Sequence, residues 1–187
     1  MVIGTATGLS NAWTIALSIA LAFVFGYSLT MLPLLRSGLV LAAVVPLAFA
    51  SDTISIAVME VVDGTEGLWL LAPAERIGSA LQGALMVREG PRRIADGCET
   101  GDWNHVDVYL TKTLDYRALL FTGSRFDADA LRWMGERNSH VVAVGDGPEG
   151  VSAAVRYPGE DDPIVALLTE IVVAELLAAQ WWLASTA

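Results

Sequence analysis

GSALQGALMVREGPRRIADGCETGDWNH, residues 78–105, is the stretch whose reading decides the fold. It reads as a strand end, a helix and a short polar turn. Leu81, Ala84, Leu85 and Val87 recur at helical spacing within residues 79–93. Pro91 ends or kinks that helix, because proline lacks the amide hydrogen and clashes with the preceding turn. The turn Gly101-Asp102-Trp103-Asn104-His105 follows, so the stretch sets the Glu89 carboxylate and the His105 imidazole a fixed distance apart.

On either side of that stretch the elements alternate. Asp63-Gly64-Thr65-Glu66-Gly67 is a turn-rich linker, and Leu68-Trp69-Leu70-Leu71 a strand-length apolar run. Residues 107–111 alternate as a strand, residues 116–123 read as a buried strand, and residues 127–138 as an amphipathic helix with acids in its first turn. Residues 141–145 and 153–157 are further strands. Asp162-Pro163 then opens a long apolar helix to residue 184, with a good cap and first-turn pair. Glu170 and Glu175 argue that this helix packs on the sheet or at a dimer interface rather than crossing a membrane. Strand–helix alternation with short connections implies parallel strands and right-handed crossovers, with ligands beyond the C-terminal strand ends near helix N-termini.

Working toward the N-terminus, the chemistry changes. Residues 1–63 carry Arg36, Asp52, Glu60 and Asp63 and no other charge, and the hydrophobic fraction of the whole chain is 54%. Mean hydropathy is +0.52. Residues 11–35 are uncharged and long enough to span a bilayer. No basic residue precedes Arg36, which disfavours a secretory signal peptide. After Arg36-Ser37-Gly38 a second apolar run continues to residue 62, so residues 11–62 read as a two-helix transmembrane hairpin; a helical hairpin buried in a soluble core is the alternative. Asp52 in that run should face a partner helix or water, where it either handles an ion or proton or makes a polar contact within a bundle. The expected domains are 1–63, the hairpin, and 64–187, the α/β lobe.

The totals exclude several classes. A net charge of −10 argues against a nucleic-acid partner. A single cysteine, Cys98, and two histidines, His105 and His140, leave no disulfide and no multi-histidine or cysteine-based metal site, and no cofactor is implied.

Two resemblances add to this reading. FVFGYSLTMLPLLRSGL followed by LAFASDTISIAVMEVVD is similar to an uncharacterised bacterial membrane family, domain of unknown function 4396, with the likeness breaking off near residues 62–64. The run Leu81-Gln82-Gly83-Ala84-Leu85-Met86-Val87-Arg88-Glu89 and the turn 101–105, at matched spacing, resemble a sugar isomerase (SIS) domain. The likeness is to the second lobe of the isomerase half of glucosamine-6-phosphate synthase, over about residues 68–184. It implies a single three-layer αβα lobe with a parallel sheet and a sugar-phosphate ligand. It also implies Glu89 as the base of aldose–ketose isomerisation and His105 as the group assisting ring opening. Such chemistry needs a carboxylate held near carbon and a proton carrier effective near neutrality. Gly101, Gly123 and Ser124 are the substrate-binding candidates. In SIS lobes the loop matching Gly123-Ser124 can carry phosphate-binding hydroxyls, though Asp127 and Asp129 crowd it and Arg125 offsets them in part; an ordinary helix cap is the other reading.

The departures are specific. Met86 stands where the family has a lysine, Ala72-Pro73-Ala74 replaces a Gly-Arg-Gly loop, and the first lobe and the lysine-bearing C-terminal tail have no counterpart. The expectation is therefore a membrane-tethered phosphosugar-binding module without complete isomerase activity. One alternative is an isomerase completed by a homodimer or by a partner supplying the other lobe; another is a fragment of a helical membrane protein joined to an incidental lobe. The change between resemblances near residues 63–68 suggests a truncated or joined reading frame. Arg36 would place the hairpin loop inside and the lobe outside, whereas Arg76, Arg88, Arg92 and Arg93 favour a cytoplasmic lobe; the cytoplasmic placement suits sugar phosphates.

Overall fold

Buried apolar residues alternate between two faces of a sheet. Among the described residues five strands form it: β1 (Leu68–Ala72), β2 (Ala95–Glu99), β3 (Arg117–Phe121), β4 (His140–Val144) and β5 (Ala153–Val155). The computed structural model describes residues 38–40, 42 and 51–186, with backbone alone for 51–53. The order is β2-β1-β3-β4-β5, and every neighbouring pair is parallel. Among the described residues from 51 onward the helices are α1 (Ser51–Val62), α2 (Ile77–Glu89), α3 (Thr100–Trp103), α4 (Asp127–Gly135), α5 (Pro163–Thr169) and α6 (Ile171–Thr186).

Side chains one apart along a strand point to opposite faces. Leu68, Leu70, Ala72, Leu119 and Phe121 face a core built with α1, α2, α5 and α6. Trp69, Leu71, Ala118 and Leu120 face a second core with Trp103, Val108 and the inner side of α4. Helices thus cover both faces of a parallel sheet, a three-layer α/β arrangement.

Four sequence expectations change here. Residues 107–111 are not a strand but the 3₁₀ helix Asp107–Lys112. Val108 and Thr111, three apart, are its buried residues, and the Thr111 hydroxyl donates to the Val108 carbonyl at 2.6 Å. The turn 101–105 begins inside α3, whose first amides are capped by Glu99 through Asp102 N at 2.9 Å. The long C-terminal helix is interrupted at Glu170 into α5 and α6. The face that α2 buries is Ser79, Ala80, Gly83, Ala84 and Val87, while Leu81 and Leu85 are exposed. Small residues win because the layers approach closely: a Cβ at Gly83 would lie 2.6 Å from Leu70 Cδ2 and 2.8 Å from Ala174 Cβ. Strand β2, ADGCE, had no apolar pattern to announce it.

Of the expected membrane hairpin, residues 11–35 and 43–50 lie outside the described residues, as does the Asp52 side chain. The end of the second run is α1, which packs against α6 and β4 with Val58 and Val62 in the core and Glu60 exposed. The segment Pro163–Thr186 is long and apolar enough to cross a membrane, but half of it is buried within the fold. Trp181 ties it to the end of α1, its indole Nε1 donating to Asp63 at 3.1 Å.

Candidate functional site

The chain passes from β1 outward to β2 and then back across β1 to β3. Strand order reverses between β1 and β3, so the loops leaving their C-terminal ends diverge and open a crevice, the usual ligand position in such sheets. Arg76 lies in the short 3₁₀ turn after β1, and Thr122-Gly123-Ser124 leave β3. Together they line an open cleft of about 1050 Å³, completed by Arg125, Asp127 and the loops before and after β5.

Arg76 is held from two sides. Its Nε donates to both carboxylate oxygens of Glu170, at 3.1 and 3.0 Å, and its Nη2 donates to the Thr122 carbonyl. Glu170 is fully buried at the break between α5 and α6, and the Ser79 hydroxyl also donates to it. Burial pushes the Glu170 carboxyl above its ordinary range, with Ser79 and Arg76 acting against that shift. The loop after β3 has room for this guanidinium because Gly123 has no side chain. Its φ is +123°, and a Cβ there would stand 3.2 Å from Arg76 Nη2.

The amides of Gly123 and Ser124 converge on one point, a small anion-receiving nest. That point is filled by the protein itself: Asp127 Oδ2 accepts from Gly123 N at 2.7 Å and from Ser124 N at 3.1 Å. Asp127 Oδ1 is buried without a hydrogen-bond partner. Burial raises the Asp127 carboxyl above its ordinary range; the two amides and Arg76 pull it down, and Glu99 pushes it up. The Ser124 hydroxyl accepts from Phe126 N at 3.2 Å. The cleft therefore sets a guanidinium beside two amides that Asp127, its most enclosed acid, already occupies.

The sequence candidates fall in three places. Gly123 and Ser124 come together in the cleft. Gly101 is buried beside it, under the Phe126 ring, where a Cβ would stand 2.7 Å from Cε2. Glu89 is the exposed last residue of α2, at the edge where the strands begin, next to Arg92 and Trp182. His105 is exposed just beyond α3. Helix α2 packs on one face of the sheet and α3 on the other, so a single chain does not bring Glu89 and His105 together. Sequence reasoning missed Arg76 and Glu170 as site residues. The available signal was an acid inside an apolar helix, which calls for a cation when it is buried.

Comparison with known proteins agrees with this fold. The model of a domain of unknown function, DUF4396, matches residues 1–86. The match does not stop at the linker, as the sequence reading expected, but continues through β1 and most of α2. No curated protein matches the sequence. Among solved structures, the C-terminal domain of glucosamine-fructose-6-phosphate aminotransferase from Francisella tularensis is similar with a TM-score of 0.61 at 14% identity. That alignment covers 79% of this chain and 43% of that one, so this chain spans less than half of it. A putative phosphosugar isomerase involved in capsule formation from Bacteroides fragilis has a TM-score of 0.60 at 13% identity, covering 81% of this chain and 86% of that one. An Escherichia coli protein solved in complex with a sugar phosphate has a TM-score of 0.59 at 10% identity, covering 98% and 94%. The chain thus has the three-layer fold of sugar isomerase domains, and the matched domain of unknown function runs into its first strand and helix.

Proposed function

We propose that the chain is a phosphosugar-binding module of sugar-isomerase fold, tethered to the membrane by its N-terminal apolar segment, without a complete isomerase site of its own. The observation that carries this reading is the convergence of Arg76 with the Gly123 and Ser124 amides in the crevice between β1 and β3. A guanidinium and paired amides are the groups that recognise a phosphate. Solved structures of this fold include a protein described as a phosphosugar isomerase and another in complex with a sugar phosphate, which supports a ligand of that class. The uncharged run at residues 11–35 supports the tether, and Arg76, Arg88, Arg92 and Arg93 support a cytoplasmic lobe.

The test is calorimetric titration of the full chain in detergent with glucosamine 6-phosphate, fructose 6-phosphate and the unphosphorylated sugars. Saturable binding of a sugar phosphate, lost with the phosphate, is expected. Equal binding of phosphorylated and free sugars, or of neither, overturns the reading.

A second reading follows from the position of Glu89 and His105. Because they lie on opposite faces, an isomerase site using both takes one residue from each of two copies. The module would then be catalytic as a homodimer, or with a partner supplying the other lobe.

A further inference from the structure

Two amides converge just before α4, as in an anion-receiving nest, and the first residue of the helix itself fills the point between them. We propose that Asp127 is a resident competitor of the ligand's phosphate: its carboxylate occupies the amides of Gly123 and Ser124, weakens the cleft's hold on anions near neutral pH, and leaves when protonated or displaced. This inference rests on the phosphosugar reading of the same cleft and adds its regulation.

Three observations support it. The first is occupancy: one carboxylate oxygen takes both amides, at 2.7 and 3.1 Å. The second is that the other oxygen is buried and unpartnered in a residue only 9% exposed. An ordinary exposed cap would leave that oxygen to water; here it is held at a cost, and protonation removes the charge that burial disfavours. The third is the cation beside the nest. The Arg76 guanidinium, with its side chain 11% exposed, is fixed by Glu170 independently of α4. An arriving anion therefore meets a fixed cation and two preformed amides once Asp127 rotates away.

The groups that face Asp127 set the direction of the pH effect. Arg76, from the turn after β1, favours its ionised form, and Glu99, from the end of β2, disfavours it. Arg125 in its own loop is stacked on the Phe126 ring. Across the cleft stand Asp146, Glu149 and Glu160, with Arg156 paired to Asp146 at 3.2 Å and to Glu160. Those outer acids also lose charge on acidification, so the Asp127 contribution is the part of the pH effect that disappears with the residue.

The experiment uses sulfate, whose charge is constant from pH 5.5 to 7.5, titrated into the full-length wild type, Asp127→Ala and Asp127→Asn. At pH 7.5 we expect Asp127→Ala to bind sulfate about tenfold or more tighter than wild type, the worth of one displaced charge-assisted contact. Wild-type affinity should rise on going to pH 5.5, and rise less in Asp127→Ala. Asp127→Asn, which keeps an acceptor for the amides, checks that the effect follows charge rather than folding; the wild-type pH arm needs no variant. Wild type binding sulfate as tightly as both variants at both pH values overturns the gate and leaves the phosphosugar reading intact. Sulfate binding to Asp127→Ala that no sugar phosphate displaces sustains the gate and overturns the phosphosugar reading. No anion binding in any of the three proteins overturns both.

Discussion

Arg76 and Glu170, 94 positions apart in the sequence, meet in an ion pair in which one guanidinium nitrogen donates to both carboxylate oxygens at 3.1 and 3.0 Å. The pair joins the exit of β1 to the break between α5 and α6, and through the Thr122 carbonyl to the exit of β3. The same guanidinium is thus a structural clamp and the cation of the cleft. Removing it from beside a fully buried carboxylate leaves an uncompensated charge. Arg76→Ala should lower stability by about 3–5 kcal/mol at pH 7.5 in urea denaturation. Because burial already raises the Glu170 carboxyl, the loss should shrink at acidic pH, where Glu170 carries a proton. Arg76→Met combined with Glu170→Leu should recover most of it. A double variant as unstable as Arg76→Ala would show that packing, not the stranded charge, sets the cost.

The burial of α2 is tested by contrast between two of its positions. A side chain at Gly83 meets Leu70 and Ala174 at distances no real contact tolerates. Gly83→Val should cost about 1–3 kcal/mol or more through overpacking. Leu81→Gln, at a residue 51% exposed, should stay within about 0.5 kcal/mol. If the two costs were reversed in thermal denaturation, α2 would have to be rotated on the sheet.

The second core contains a buried side-chain hydrogen bond. Trp103 Nε1 donates to the Tyr116 hydroxyl at 2.6 Å, and Trp69 stacks on the Tyr116 ring at 4.5 Å. Both rings at the bond are buried, so Tyr116→Phe strands an indole N–H and should cost about 1–3 kcal/mol. Tryptophan emission should shift with it. An unchanged midpoint would mean that water replaces the hydroxyl.

The Asp127 carboxyl gives a signed pH dependence. Its folded-state affinity for a proton exceeds that of the unfolded chain, so the native state binds more protons between the two titration points. Stability contributed at this position is therefore present at low pH and declines as pH rises through that window. The stability of Asp127→Asn relative to wild type should improve as pH rises, so that it equals or exceeds wild type at pH 7.5, as read from urea midpoints. A variant less stable than wild type at pH 7.5 alone would show that ionised Asp127 is net stabilising.

Much of the layer was legible because parallel strands covered on both faces read as apolar runs: LWLL, RALLF and HVVAV stand out. Strand β2 did not, because it is an edge strand paired only with β1 and rich in partly exposed polar residues. The buried face of α2 was misread for a related reason. Counting hydrophobic residues favours Leu81 and Leu85, while close packing favours glycine, alanine and serine. Within the site, the loop Gly123-Ser124 was legible as a strand-to-helix junction crowded by Asp127. The Arg76–Glu170 pair was not, since no local pattern links positions so far apart.

Glu89 and His105 pose the remaining question, because their spacing in sequence suggested one pocket mouth and the sheet separates them. Neither lines the cleft at Gly123. Sugar-phosphate affinity in Glu89→Gln and His105→Ala should therefore stay within about twofold of wild type, a difference of roughly 0.4 kcal/mol. If the assembled protein isomerises a sugar phosphate, the two residues act from different copies, and each variant alone should be inactive. Mixing and reassembling the two variants would pair an intact Glu89 on one chain with an intact His105 on the other, so turnover absent from either sample should return. Activity retained by Glu89→Gln removes that residue from the chemistry. Loss in both variants without recovery on mixing removes the shared site and leaves a binding module.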